Sequence, residues 1–296
     1  MTAASFKDGP GAPAAPASAF DRGPGAGEPA APRPRRRSRW SHAAVLVVPP
    51  ALVFVIAAGI WQLVSYVILD PSRRFLLPPL QTVIDQSFFV SATATELLQG
   101  FWTTAYLALI GLAVSMVLGV GIAIIMHQSR FLERSLYPYL ILMQTIPILA
   151  LVPLIGFWLG FSSTSRIVVC VIISLFPIIA NTSFGLQSAT EAQHDLFRLH
   201  QAGRPRMLRS LWLPASLPAM FAGFRISAGL SVVGEIVGGF FFQKGPTDLG
   251  ILINSYVDEL NTPALFGSVI MSAVLGVLVF WLFTGLGRLV YSRWKE

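Results

Sequence analysis

From position 41 onward, long apolar runs alternate with short polar connections. A helix that crosses a bilayer needs about 20 mainly apolar residues. Six stretches meet that requirement: Ala43–Leu69, Leu98–Met126, Tyr137–Leu159, Ile167–Leu186, Leu213–Phe242 and Leu265–Tyr291. Pro49 and Pro50 fall near the start of the first, where proline is tolerated. No period of 20 to 50 residues marks a repeat architecture. The pattern predicts an all-α integral membrane fold of about six transmembrane helices over 41–296, with a polar inner loop at 187–212.

The first forty residues do not share this pattern. They are rich in Pro, Ala and Gly and poor in large aliphatics, so they cannot bury enough apolar surface to offset chain entropy. A disordered tail over 1–40 is expected. A signal peptide would place its apolar stretch near the start. Here the first apolar run follows Trp40, behind the basic string RPRRRSR, which suits a cytoplasmic anchor at the membrane face or a plain solvated tail.

Composition agrees with lipid as the main solvent. Only 12% of residues are charged and 54% are hydrophobic, against about 25% charged in soluble domains. The single cysteine, Cys170, excludes an internal disulfide framework and lies in an apolar run, as a packed small hydrophobe would. The net charge of +7 does not indicate nucleic acid, because the basic residues cluster at the ends of apolar runs. With the N-terminus inside, the inner segments hold Lys7, Arg22, Arg33, Arg35–Arg37, Arg39, Arg130, Arg134, Arg198, Arg204, Arg206, Arg209, Arg288, Arg293 and Lys295. The outer segments hold Arg73, Arg74, Arg166 and Lys244. That asymmetry predicts a multi-pass protein with both termini cytoplasmic.

The outer connections differ in kind. FLLPPLQTVIDQSF has helical spacing after Pro79 and suits a short amphipathic helix along the outer surface. In KGPTDLGILINSYVDELNTP, Gly245-Pro246 and Thr262-Pro263 bracket a short helix that turns Asp258 and Glu259 outward. An extracytoplasmic docking surface and ordinary solvated loops both fit these segments.

Catalytic and metal-binding signatures are absent: no HExxH, CxxC, GxSxG or phosphate-cradling glycine loop occurs. The histidines, His42, His127, His194 and His200, fall at inner membrane edges or in the inner loop, where solvated or interfacial roles are expected. No catalytic residue, metal site or cofactor is expected in this chain. Two ionisable groups lie within the fifth span. Arg225 and Glu235 are ten residues apart, about 15 Å along a helix. Such groups usually face a bundle interior or an aqueous path. Glu235 suits either a pathway or a structural hydrogen bond, and Arg225 either a pathway or snorkelling to the inner surface. Gly234 and Gly238 permit close helix approach.

The inner loop reads EAQHDLFRLHQAGRPRMLRSLWLPASLP from Glu191 to Pro218. Thr190 suits an N-cap for a short helix from Glu191 to Ala202. Gly203 is expected to end it through positive φ, and Pro205 to open a second short helix running to about Leu211. Leu196, Phe197 and Leu199 supply apolar contacts before the bend, and Met207, Leu208 and Leu211 after it. Arg198, Arg204, Arg206 and Arg209 form a basic rim. Such a pair fits a groove on a soluble partner; resting on lipid headgroups fits the same residues.

The segment resembles the cytoplasmic coupling loop of ABC importer permeases of the binding-protein-dependent class. Anchoring its Leu-Pro register on Leu211, Leu213 and Pro214 puts the motif acid at Asp195 rather than Glu191. Leu196 and Phe197 stand where that family carries small residues, and Gln201 stands at its glycine position. Gly203 and Pro205 then supply the bend a few residues later. The similarity covers most of 101–289. TIPILALVPLIGFWLGFSSTSRI, ISLFPIIANTSFGL and LPASLPAMFAGFRISAGLSVVGEIVGGFF resemble the nitrate, sulfonate and taurine branch, which also holds riboflavin and thiamine-precursor importers.

The resemblance implies a type I ABC importer permease in the bacterial cytoplasmic membrane. It implies a second permease copy, cytoplasmic ATP-binding subunits that bind the ATP, and an extracytoplasmic solute-binding protein. The ATPase-coupling residues it implies are Asp195, Leu196, Phe197, Arg198, Gln201, Gly203, Arg204, Pro205, Leu211, Leu213 and Pro214, with Arg225 and Glu235 as pathway candidates. An ion-driven secondary transporter would carry several intramembrane acids or interrupted half-helices, and Glu235 alone is a clear acid of that kind. A membrane enzyme would cluster His, Asp or Glu at one membrane edge, and none converge.

Overall fold

The computed structural model describes the backbone of residues 39–292 and side chains from Val48 to Val290. The expected disordered tail lies outside the described residues, except that Arg39 and Trp40 already belong to a helix. Among the described residues, 39–53 and 54–292 fall in separate units. Helix α1 (Arg39–Leu63) carries Pro49 and Pro50 within it and ends in a wider turn, Val64–Ile68.

Unit 54–296 is built from helices. After α1 come α2 (Leu80–Ile84, continuing through Asp85–Phe89), α3 (Ser91–His127), α4 (Arg130–Thr145), α5 (Ile148–Leu159) and α6 (Ser163–Leu186). Then follow α7 (Glu191–Leu199), α8 (Arg204–Met207, continuing through Leu208–Trp212), α9 (Leu213–Phe242), α10 (Leu249–Asp258) and α11 (Thr262–Ser292). Among the described residues, five helices are long and apolar enough to cross a membrane, or six counting α4 and α5 as one bent span.

The third expected span, Tyr137–Leu159, is therefore not one straight helix: α4 and α5 meet at 98°. Pro147 explains the break. It has no N–H to continue the α4 ladder, and its ring drives the residue before it out of the helical region. Ile146 accordingly sits at φ −67°, ψ 127° and Pro147 at φ −61°, ψ 106°.

Helices α3, α6 and α9 form the centre, because small residues let their backbones approach. A methyl at Gly234 would stand 2.9 Å from Cys170 Cα on α6, and one at Gly223 would stand 2.9 Å from the Pro177 carbonyl oxygen. Packing over that distance replaces a hydrophobic drive that lipid cannot supply. Hydroxyl groups bridge the same helices. Ser115 and Ser174 share a hydrogen bond of 2.6 Å, and Ser227 Oγ donates to the Ser174 carbonyl at 2.6 Å. Such bonds contribute about 0.6 kcal/mol each within a bilayer. Around them lies an apolar core that includes Leu112, Ile178, Phe224 and Val232.

The short segment after Pro79 is docked on protein rather than lying free on the outer surface. Val83 is buried and Ser87 Oγ donates to the Pro263 carbonyl at 3.0 Å, at the start of α11. Trp61 Nε1 donates to the Pro78 carbonyl at 2.9 Å, and Gln62 Oε1 accepts from Leu80 N at 3.2 Å. Helix α10 also leans on α3, where the Tyr256 hydroxyl donates to Glu96 Oε2 at 2.8 Å. Burial and the Glu96 carboxylate push the Tyr256 phenol above its ordinary pKa.

Candidate functional site

Helix α7 is nine residues long, too short to persist in water without help at its ends. Both ends receive it. Thr190 and Gln193 form a capping box: Thr190 Oγ1 accepts from Gln193 N at 3.4 Å, and Gln193 Oε1 accepts from Thr190 N at 3.0 Å. At the other end, Ala202 N donates to the Phe197 carbonyl at 3.0 Å and Gln201 N to the Arg198 carbonyl at 2.9 Å. Those two bonds, with a left-handed residue between them, make a Schellman stop.

The left-handed residue is Gln201, at φ 50°. Gly203, expected to end the helix with positive φ, instead sits at φ −68° as the N-cap of α8. The correction has a simple cause. The Schellman geometry puts the left-handed position directly after the C-cap His200, and that position is Gln201. The chain thus carries glutamine where left-handed backbone favours glycine, at a cost of roughly 1–2 kcal/mol. Gln201→Gly should stabilise the turn by about 1 kcal/mol, by the same reasoning in reverse. Gly203→Ala should change little, because its Cβ would meet only Pro205 Cδ at 3.8 Å. Hydrogen exchange of the α7 amides, measured for each variant, checks both outcomes.

The register of α7 sorts its side chains. Ala192, Asp195, Leu196 and Leu199 share one face and are exposed, whereas His194 and Phe197 are half-buried on the other. Leu199 is 82% exposed and Leu196 53%. The outward apolar pair is therefore Leu196 and Leu199, not Leu196 and Phe197. Asp195 and Arg198 pair at 3.5 Å on the surface, an exposed contact worth little energy. Gln201, Gly203, Arg204 and Pro205 continue the exposed surface past the turn.

Leu211, Leu213 and Pro214 do not join that surface. Leu211 is buried, Leu213 packs against the inner apolar cluster of Met126, Leu140 and Ile179, and Pro214 is half-buried. The second short helix does not stand alone either. It runs without interruption into the span, giving one helical stretch Arg204–Phe242. Residues near the Leu-Pro register thus anchor the loop and α7 presents it.

Two histidines expected to be solvated or interfacial take part in this anchoring. Trp212 meets the His127 ring edge-on at 4.5 Å and the His194 ring at 6.1 Å. Their half-buried rings connect α7, the end of α3 and the start of α9. Ser188 Oγ adds bonds to the carbonyls of Gly185 at 2.7 Å and Ala215 at 3.2 Å. Sequence distance concealed these partners.

Arg225 and Glu235 are not brought together. Arg225 is half-buried, with its guanidinium 5.4 Å from the Phe280 ring on α11. Glu235 is fully buried toward α6, with Arg166 Nη1 3.8 Å from Oε1 and with Asp248 and Thr104 as polar neighbours. Arg166, counted from sequence among the outer-segment charges, lies in the first turn of α6 and is fully buried. It pairs with the Asp248 carboxylate and donates to the Lys244 carbonyl and, at 3.2 Å, to the Pro246 carbonyl. Asp248 Oδ1 also caps α10 by accepting from Ile251 N at 2.7 Å. Sequence reading missed this cluster; its only local signal was Asp248 ahead of an apolar helical run.

The sequence matches the model of the family described as binding-protein-dependent transport system inner membrane component over residues 111–295. It is 33% identical over 238 residues to the formylaminopyrimidine transport permease protein ThiX of Halalkalibacterium halodurans, covering 78% of this chain and 90% of that one. It is 27% identical over 244 residues to the putative aliphatic sulfonates transport permease protein SsuC of Bacillus subtilis, covering 82% and 84%. Other relatives are named as riboflavin, nitrate and taurine permeases. The fold is similar to a chain of the inward-facing MetNI methionine ABC transporter, at TM-score 0.60 and 17% identity, covering 68% of this chain and 98% of that one. A bundle of long apolar helices is thus the shared architecture. The chain belongs to the binding-protein-dependent family and is a permease subunit of the ABC importer type, which sets aside the secondary-transporter reading.

Proposed function

We propose that two copies of this chain form the membrane path of an importer in a bacterial cytoplasmic membrane, with both termini cytoplasmic. Two ATP-binding subunits dock, one on α7 of each copy, and carry out hydrolysis. An extracytoplasmic binding protein delivers the solute, which belongs to the nitrate, sulfonate and taurine group or to the vitamin precursors. The distribution of Lys and Arg supports the orientation.

The observation that carries the coupling role is α7 itself: a helix capped at both ends that turns Leu196 and Leu199 outward. A rigid, apolar-tipped helix transmits force, whereas a frayed one would absorb it. ATP shifts an access equilibrium only as far as it binds one global state better than the other. The rigid α7 contact lets that preference reach α3 and α9 through Trp212.

Site-directed cross-linking tests the reading. With Leu199→Cys in the protein and single cysteines along the groove of the ATP-binding subunit, a disulfide should form in the assembled complex. Its yield should change when ATP is added. If position 199 forms none while the complex still co-purifies, α7 is not the docking element.

A further inference from the structure

The 98° break between α4 and α5 interrupts the helical hydrogen-bond ladder at a place where the chain otherwise reads as membrane-spanning. A helix end leaves up to four carbonyls, and a helix start up to four amides, without intrahelical partners. Within a bilayer, irregular backbone persists only where protein covers it or where it lines a wet cavity. Here a cavity of about 270 Å³ opens at the bend. Gln144, Ile146 and Ile148 line it from the break, Ile173 and Phe176 from α6, and Leu230 from α9. Among its lining residues none is charged, and Gln144 alone has a polar side chain.

We propose that this cavity is part of the solute path and accepts an uncharged, single-ring heteroaromatic molecule, its face on Phe176 and its edge on the Gln144 carboxamide. The inference rests on the import reading above and narrows its solute. A nitrate or sulfonate needs cationic or several N–H donors to replace its water, and this wall offers one amide. A carboxamide both donates and accepts, which matches the paired donor and acceptor edge of an amino-substituted ring. An aromatic face and aliphatic walls suit the ring itself. Size acts in the same direction: the volume lies just below the ~300–1,000 Å³ of sites for drug-sized ligands. Only weak binding is wanted, because a path must release what it admits.

The test uses Gln144→Cys in membranes containing the assembled transporter, treated with a membrane-impermeant methanethiosulfonate. Cys170 is fully buried and serves as the internal control for intact packing, and Glu259→Cys marks reagent reaching the outer face. Position 144 is expected to react, because thiol attack needs a hydrated thiolate. Formylaminopyrimidine should slow that reaction, and taurine and nitrate should not. Ile173→Cys, on the opposite wall, gives the same reading if the first variant fails to insert. In uptake, Gln144→Leu should weaken solute competition by roughly fivefold to tenfold, the worth of one hydrogen bond.

Thiols at 144 and 173 that stay silent while 259 reacts would show a surface covered by lipid or by a second copy, and would overturn the path. Protection by taurine or nitrate rather than the heterocycle would overturn the solute class. Reactive thiols in a complex that imports no solute with ATP would instead sink the import reading underneath.

Discussion

Leu199→Asp is expected to abolish ATP-dependent uptake while expression, membrane insertion and thermal stability stay as in the parent protein. The reason is location. Leu199 is 82% exposed at the last turn of a helix held by a capping box and a Schellman stop. Its side chain supports nothing inside the protein, so a carboxylate there costs the fold little. In a docking groove the same carboxylate must be desolvated without a partner. Loss of a central apolar anchor costs at least about 2 kcal/mol, or roughly 30-fold in affinity for the ATP-binding subunit. Reconstituted vesicles with fixed amounts of both partners give the measurement. Phe197→Asp is the informative contrast. It strikes the half-buried side of α7, so it should lower stability and uptake together. Normal uptake by the Leu199 variant would remove α7 from the coupling path.

Arg166→Met is expected to destabilise the isolated permease by about 3–5 kcal/mol, the usual cost of removing one partner of a buried ion pair. Its guanidinium is the single cation between Glu235 and Asp248 among the described residues, and all three side chains are fully buried. Without it two carboxylates face each other in a space closed by Gly239 and α6. Arg166→Lys should not rescue the protein. A planar fork reaches the Lys244 carbonyl, the Pro246 carbonyl and the Asp248 carboxylate together, and a single ammonium cannot. Adding Asp248→Asn to Arg166→Met should recover part of the loss, because it removes a stranded charge and keeps a side-chain cap for α10. Thermal melts in detergent, followed by size-exclusion fluorescence, rank the three variants. A melting temperature unchanged by Arg166→Met would show that the carboxylates are neutralised in another way. Glu235 is fully buried beside Arg166, so Glu235→Gln is expected to affect stability before it affects the route of the solute.

Particular residues show why parts of the site were legible and parts were not. Thr190 and Gln193 stand three apart before a polar helical run, and capping depends on that local spacing alone. Asp195 came from the Leu-Pro register of the resembling family, counted along the chain from Pro214, whereas its outward position came from the folded helix. Leu199 and Phe197 are equally apolar, so composition could not choose between them. Packing chose, by turning one of them inward. The left-handed turn was misplaced by two residues, because glycine at 203 is the stronger local signal while the hydrogen-bond pattern fixes the turn at 201.

The sequence by itself determined the solvent of the chain, the family, the loop that carries α7 and the cap at its start. Each follows from hydropathy, motif or short-range spacing, which act within a few residues. Tertiary structure decided what depends on distant partners. It seated Arg166 against Asp248 across 82 positions, as a buried cation must be seated. It set Trp212 edge-on to His127 and brought its ring to within 6.1 Å of the His194 ring. It also seated the bent run: Pro147 breaks the ladder between α4 and α5, and Val152 and Ile155 of α5 then pack with Val169 of α6 and Phe242 of α9, partners that lie far along the chain.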